Sequence, residues 1–123
     1  MNANPNRIAG TVYVKRDGVL LDCEGEFSLG LGLPERTTRK GSHGGVVGYE
    51  EESTVPFIEG SLTTTAEMDI EAILKADGET ITVEAANGKT YSLSPAWQTK
   101  PGEINASKGV VPVRWEGKNM DII

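Results

Sequence analysis

VPFIEGSLTTT, residues 55–65, alternates side by side: Ile58 and Leu62 fall on one face, while Glu59, Ser61 and Thr63 fall on the other, which begins with Phe57. A period of two is the mark of a half-buried strand. The next stretch, AEMDIEAILKA at 66–76, changes period, and Ala66, Ile70, Ile73 and Leu74 form one apolar stripe at helical spacing. Thr64 followed three residues later by Glu67 reads as a capping box. Glu67, Asp69 and Glu71 load the N-terminal half with negative charge, Lys75 lies near the end, and Gly78 offers a left-handed stop. A helix is therefore predicted over 65–77, with Ile70, Ile73 and Leu74 packed against a sheet. TITVEAANGKTYSLSPAW, 80–97, then places Asn87-Gly88 between two alternating runs, a strong tight-hairpin signal.

Outward from this block the chain remains strand-rich. Residues 1–7 are polar, contain Pro5, and read as a flexible N-terminal arm. From Ile8, Val12 and Val14 alternate with Tyr13 and Lys15, and Asp17-Gly18 predicts a hairpin turn. A further strand follows, with Asp22, Glu24, Glu26 and Ser28 on a polar face and Cys23, Gly25, Phe27 and Leu29 on a small, apolar one. Residues 31–54 carry no periodicity and read as a long mobile loop, a length that usually marks function. EINASKG (103–109) and VVPVRWEG (110–117) are expected to form a last strand pair, with Pro112 at an edge or bulge. The 123 residues hold one domain, mainly antiparallel β, a sandwich or small barrel with one flanking helix.

Composition narrows the function. A hydrophobic share of 37% with 6% aromatics is low for a self-sufficient monomer and suits a protein that completes its burial against copies of itself. Net charge is −6, and the one basic cluster, Arg36, Arg39 and Lys40, is too small for a stable nucleic-acid complex. An acidic surface repels phosphate, which harms a DNA binder and helps a conduit through which DNA slides. A single cysteine excludes an intramolecular disulfide framework and fits a reducing compartment. No apolar run reaches the roughly 18 residues needed to cross a bilayer, and MNANPNRIAG lacks a signal-peptide core.

Catalytic chemistry finds no purchase. One histidine, His43, and one cysteine, Cys23, fall short of a structural zinc site, and Ser42 is too close to His43 to serve as its nucleophile. GSHGGVVG lacks the Gly-Lys-Ser/Thr ending of a phosphate loop, and GLGLP at 30–34 is an equally weak match. No enzyme, cofactor or metal is expected. Trp97 and Trp115 read either as core or as interface anchors. Glu50, Glu51 and Glu52 read either as a solvated loop end or as partners for Arg36, Arg39 and Lys40 of a neighbouring subunit. His43 and Tyr49 lie in the same stretch and join the candidate inter-subunit residues. Glu24, Glu26, Ser28, Glu59, Ser61 and Thr63 define two polar strand faces that either look into bulk water or combine into one hydrophilic wall.

GTVYVKRDG, EGEFSLGLG, GYEEESTVPFIEGSLT, ANGKTYSLSPAWQ and VPVRWEG, in that order and spacing, resemble the tail tube proteins of Mu-like contractile-tailed bacteriophages. The resemblance implies a tail-tube fold, six copies joined edge to edge into a ring, and rings stacked into the inner tube for genome ejection. The six polar residues of the two faces would then line the lumen. The implied partners are the protein itself, the tail sheath, and baseplate and tail terminator proteins, with DNA passing unbound. The implied location is the virion tail, after assembly from the host cytoplasm. The alternatives are the tube of a related injection machine, a tailocin or secretion system, or a monomeric β-sandwich binding module.

Overall fold

The computed structural model describes residues 6–123, so most of the expected 1–7 arm lies outside the described residues. The described chain runs β1 (Tyr13–Arg16), β2 (Val19–Leu21), β3 (Cys23–Gly30), β4 (Glu35–Lys40), β5 (Val46–Glu52), β6 (Phe57–Thr63), α1 (Ile70–Lys75), β7 (Asp77–Glu84), β8 (Thr90–Gln98) and β9 (Val110–Ile122). Seven strands form one sheet in the order β2-β1-β7-β8-β9-β6-β3, and β4 and β5 form a separate pair. The two edge strands of the large sheet, β2 and β3, are consecutive in the chain and separated by Asp22 alone. The sheet must therefore curl to bring its two edges together in a seam at Asp22, and the Thr63 amide, donating to the Asp22 carbonyl at 2.9 Å, carries the β3–β6 ladder up to that corner. The result is a nearly closed barrel.

The alternation seen in the sequence decides what lies inside. Val14, Ile58, Leu62, Ile81, Leu93, Val111, Val113 and Trp115 are buried in one core, joined by Leu21, Val83, Ala96 and Ile73 of the helix. Trp115 is core with none of its surface exposed, whereas Trp97 is half-buried. Burying side chains of this size contributes about 1.5–3 kcal/mol each relative to exposure. Two glycines make room. A Cβ at Gly60 would stand 2.7 Å from three ring atoms of Phe27, which lies across β6 on the core side. A Cβ at Gly117 would come within 2.5 Å of the Pro95 carbonyl oxygen.

Both tight turns fall where expected. Asp17, in a left-handed conformation, accepts from the Thr80 amide at 2.8 Å, and Asn87 accepts from the Lys89 amide at 3.0 Å. Pro112 sits in β9 opposite Ser61, in the half of that strand paired with β6 but beyond its pairing with β8, so its missing N–H breaks no ladder bond.

Three expectations are corrected. The helix is shorter than 65–77: Asp69, not Thr64, caps it, accepting from the Ala72 amide at 3.1 Å. Residues 65–68 form a turn instead, and Ala66 is exposed outside the helix. The chain leaves the helix at Ala76 in an extended conformation and β7 begins at Asp77, so Gly78 lies within that strand and does not stop the helix. Of the stripe, Ile73 is buried and Ile70 and Leu74 pack partly against the core. EINASKG is a turn with a single bridge, Asn105 to Val110, not a strand. Residues 31–54 are not a structureless loop, since they contain the β4–β5 hairpin.

Candidate functional site: a polar wall and an exposed hairpin

The two polar faces singled out in the sequence lie side by side. β3 and β6 are hydrogen-bonded neighbours, with Glu24 opposite Ser61 and Ser28 opposite Glu59, while Cys23 opposite Leu62 and Leu29 opposite Ile58 turn the other way. Thr63 ends the same row on β6. The ladder slips between Glu24 and Ser28, where β3 carries more residues than β6. Gly25 takes a φ of 71° in this bulge, and Glu26 is exposed within it without a β6 partner.

β9 widens the wall, which the sequence reading missed. Val111, Val113 and Trp115 point into the core, so Pro112, Arg114 and Glu116 share the face of Ser61, Glu59 and Phe57, their respective register partners. Arg114 Nη1 donates to Glu59 at 3.0 Å, Arg114 Nε donates to Glu116 at 2.9 Å, and the guanidinium lies 4.0 Å from the Phe57 ring centroid. The Glu116 and Glu59 hydrogen bonds push the Arg114 pKa above its ordinary value, keeping it charged. The signal for Arg114 was present: in VPVRWEG it is the polar member between two buried residues.

The second surface is the β4–β5 hairpin, in which every strand residue is exposed. Its cross-strand register puts Arg36 opposite Glu51 and Thr37 opposite Glu50. Arg36 Nε donates to Glu51 at 2.9 Å and its guanidinium lies 4.7 Å from the Tyr49 ring centroid, while Arg39 pairs with Glu50 at 3.0 Å. Within the single protomer these charges therefore pair with one another across the hairpin. Exposed pairs of this kind are worth about 0.2–1 kcal/mol. Glu35 faces Glu52, an unfavourable like-charge pairing at the base. Lys40 lies opposite Val46, and His43 sits exposed in the tip, which is closed by the Gly41 amide donating to the Gly45 carbonyl at 2.8 Å. A two-stranded ribbon with no covered face is marginal in water alone. Val46, Val47 and Tyr49, exposed by 71%, 74% and 56%, supply the apolar area a partner would cover.

Among the described residues there is no cluster of three or more histidine, cysteine or acidic side chains placed to hold a metal, and no helix is long and apolar enough to cross a membrane. Cys23 is half-buried at the seam, and burial first, then the Asp22 charge, push its thiol up to about 11, so it is not a nucleophile at neutral pH.

Known proteins share this fold. The chain is 28% identical over 97 residues to the Mu-like prophage FluMu tail tube protein of Haemophilus influenzae, an alignment covering 79% of this chain and 80% of that one. Its fold matches an extracellular contractile injection system PVC sheath/tube terminator in the extended state (TM-score 0.65, 11% identity, 91% of this chain and 92% of the other). It also matches the tube terminating cap of the anti-feeding prophage (TM-score 0.66, 11% identity, 100% and 95%). Hcp1 from Flavobacterium johnsoniae is a third match (TM-score 0.56, 10% identity, 90% and 93%). The sequence model of the phage tail tube protein fits residues 5–121, and with nearly the whole chain so matched, this chain belongs to the phage tail tube protein family.

Proposed function

We propose that six copies of this structural tube protein join edge to edge into a ring and that rings stack into the inner tube of a contractile tail. In this reading the β3–β6–β9 wall faces the lumen and the genome leaves through it. The observation that carries the reading is the merging of two polar strand faces, Glu24 and Ser28 with Glu59 and Ser61, into one wall opposite the core. Edge pairing around a ring removes the exposed backbone donors and acceptors of β3 and of the second half of β9, which runs past the end of β6. The β4–β5 hairpin reaches the next subunit or ring through Val46, Val47 and Tyr49 more than through its self-paired charges. The sheath surrounds the tube, the baseplate and terminator close its ends, and the protomer waits in the host cytoplasm before assembly. An acidic wall favours DNA passage over a DNA-free injection machine.

Cryo-electron microscopy of tubes assembled from the purified protein tests this directly. Sixfold rings with Glu59 and Ser61 on the inner surface are expected. Either an outward-facing wall or a ring of another symmetry overturns the reading.

A further inference from the structure

Arg114 is held more firmly than a surface arginine requires. Its guanidinium is engaged by Glu116 and Glu59 and stacks on Phe57. Phe57 is seated in turn: Gly30 stands opposite it across the β3–β6 ladder, and a Cβ there would come within 2.2 Å of the ring. Three strands therefore contribute to fixing one side chain, which keeps only 27% of its surface exposed.

A free arginine is a natural phosphate ligand, because its planar fork matches two oxygens at once. On this face Arg114 is paired with Glu59 and Glu116, Glu24 lies opposite Ser61, and Lys108 borders the far end beside Ser61 and Pro112. Each cation that neutralises a phosphate adds affinity and friction for a nucleic acid lying along the wall. Removing the arginine altogether would leave Glu59 and Glu116 repelling each other on adjacent strands. The clamp resolves both problems, since the cation cancels the repulsion while its donors stay occupied.

We infer that Arg114 is a masked phosphate-binding residue, and that Glu59 and Glu116 keep the wall non-adhesive to nucleic acid by occupying its guanidinium. This rests on the wall being the surface that meets the genome. A neutral amide oxygen holds the guanidinium far less strongly than a carboxylate and yields it to a phosphate, so E59Q/E116Q is the decisive variant.

Fluorescence anisotropy with a short labelled DNA duplex at low salt reads the effect. The E59Q/E116Q protein should bind at least about tenfold more tightly than the parent, the scale of one hydrogen-bonded charge contact. The gain should vanish on adding R114Q and shrink as salt rises. A matched pair away from Arg114, E35Q/E67Q, should give no gain. No gain in E59Q/E116Q with a native circular dichroism spectrum overturns the inference, as does a gain that survives R114Q. Should the double variant lose its native spectrum, E116Q alone carries the test, with a gain reversed by R114Q expected and no gain again overturning it. Binding is read on the soluble protein, whereas the direction of the wall is read in assembled tubes, so the two readings fail separately.

Discussion

Replacing Gly60 by alanine probes the joint between β3 and β6, on which the wall depends. The added Cβ would sit 2.7 Å from Cδ1, Cδ2 and Cε2 of Phe27, so it meets the ring face and not a flexible tip. Phe27 is partly buried against the core. Swinging it into water forfeits part of the ~1.5–3 kcal/mol that full burial of such a side chain brings. Strain in the β3 bulge adds to this, as overpacking typically costs about 1–3 kcal/mol. Against it stands a gain of about 0.4–1 kcal/mol, because alanine restricts the unfolded chain and Gly60 has no left-handed φ to forbid it. The balance is a loss of about 1–2 kcal/mol. With a urea slope of roughly 2 kcal/mol/M, mid-range for a small protein, the unfolding midpoint should fall by about 0.5–1 M. Repeating G60A in an F27A background isolates the clash, since without the ring the alanine should be neutral or slightly stabilising. An equal loss in both backgrounds would refute the reasoning, as would no loss in the parent.

Other outcomes follow from the same geometry. Asp69→Ala should cost about 0.5–2 kcal/mol in thermal or urea unfolding by removing the helix cap, whereas Thr64→Ala should not cost a cap at all. Excising residues 35–52 and joining Pro34 to Ser53 with a short Gly-Ser link should leave the melting temperature nearly unchanged, because no core residue is lost, but no tubes should be visible by negative-stain microscopy. Cys23 should react slowly with iodoacetamide at pH 8 and accelerate only as pH approaches about 11, since burial and the Asp22 charge favour the thiol. The sign also means that this group favours the folded state below its ordinary pKa and loses that contribution as pH rises toward about 11. Arg36→Ala should change stability by less than about 1 kcal/mol, because its pair with Glu51 is largely exposed.

What was legible in the sequence was whatever burial had written there. Ile58 and Leu62 against Glu59 and Ser61, and Cys23 and Leu29 against Glu24 and Ser28, betray their faces because one side of each strand meets a core. The β4–β5 hairpin left no such trace, since all of its strand residues are exposed and nothing imposes alternation. Its clues were of another kind: β-favouring Thr37, Thr38, Val46, Val47 and Tyr49, and opposite charges that meet when the limbs fold back. The helix start was misplaced because two residues able to cap stood five apart, and tertiary packing of Ile73 selected Asp69. Arg114 escaped notice because its role needs Phe57 and Glu59, which are distant in sequence and adjacent only through the β6–β9 register.

β9 is thirteen residues long and serves its two neighbours in succession. It pairs with β6 from Val110 to Glu116 and with β8 from Trp115 to Ile122, and backbone hydrogen bonds from Thr99 to Arg114 and from Gly117 to Pro56 extend the doubly held overlap to 114–117. Mechanically this is a lap joint. Force passing between the two halves of the barrel loads rows of hydrogen bonds in shear, where they resist together, and not in peel, where they fail one by one. Gly117 ends this overlap, and a Cβ added there would come within 2.5 Å of the Pro95 carbonyl oxygen. Any side chain inserted at Gly117 would act as a wedge in the splice.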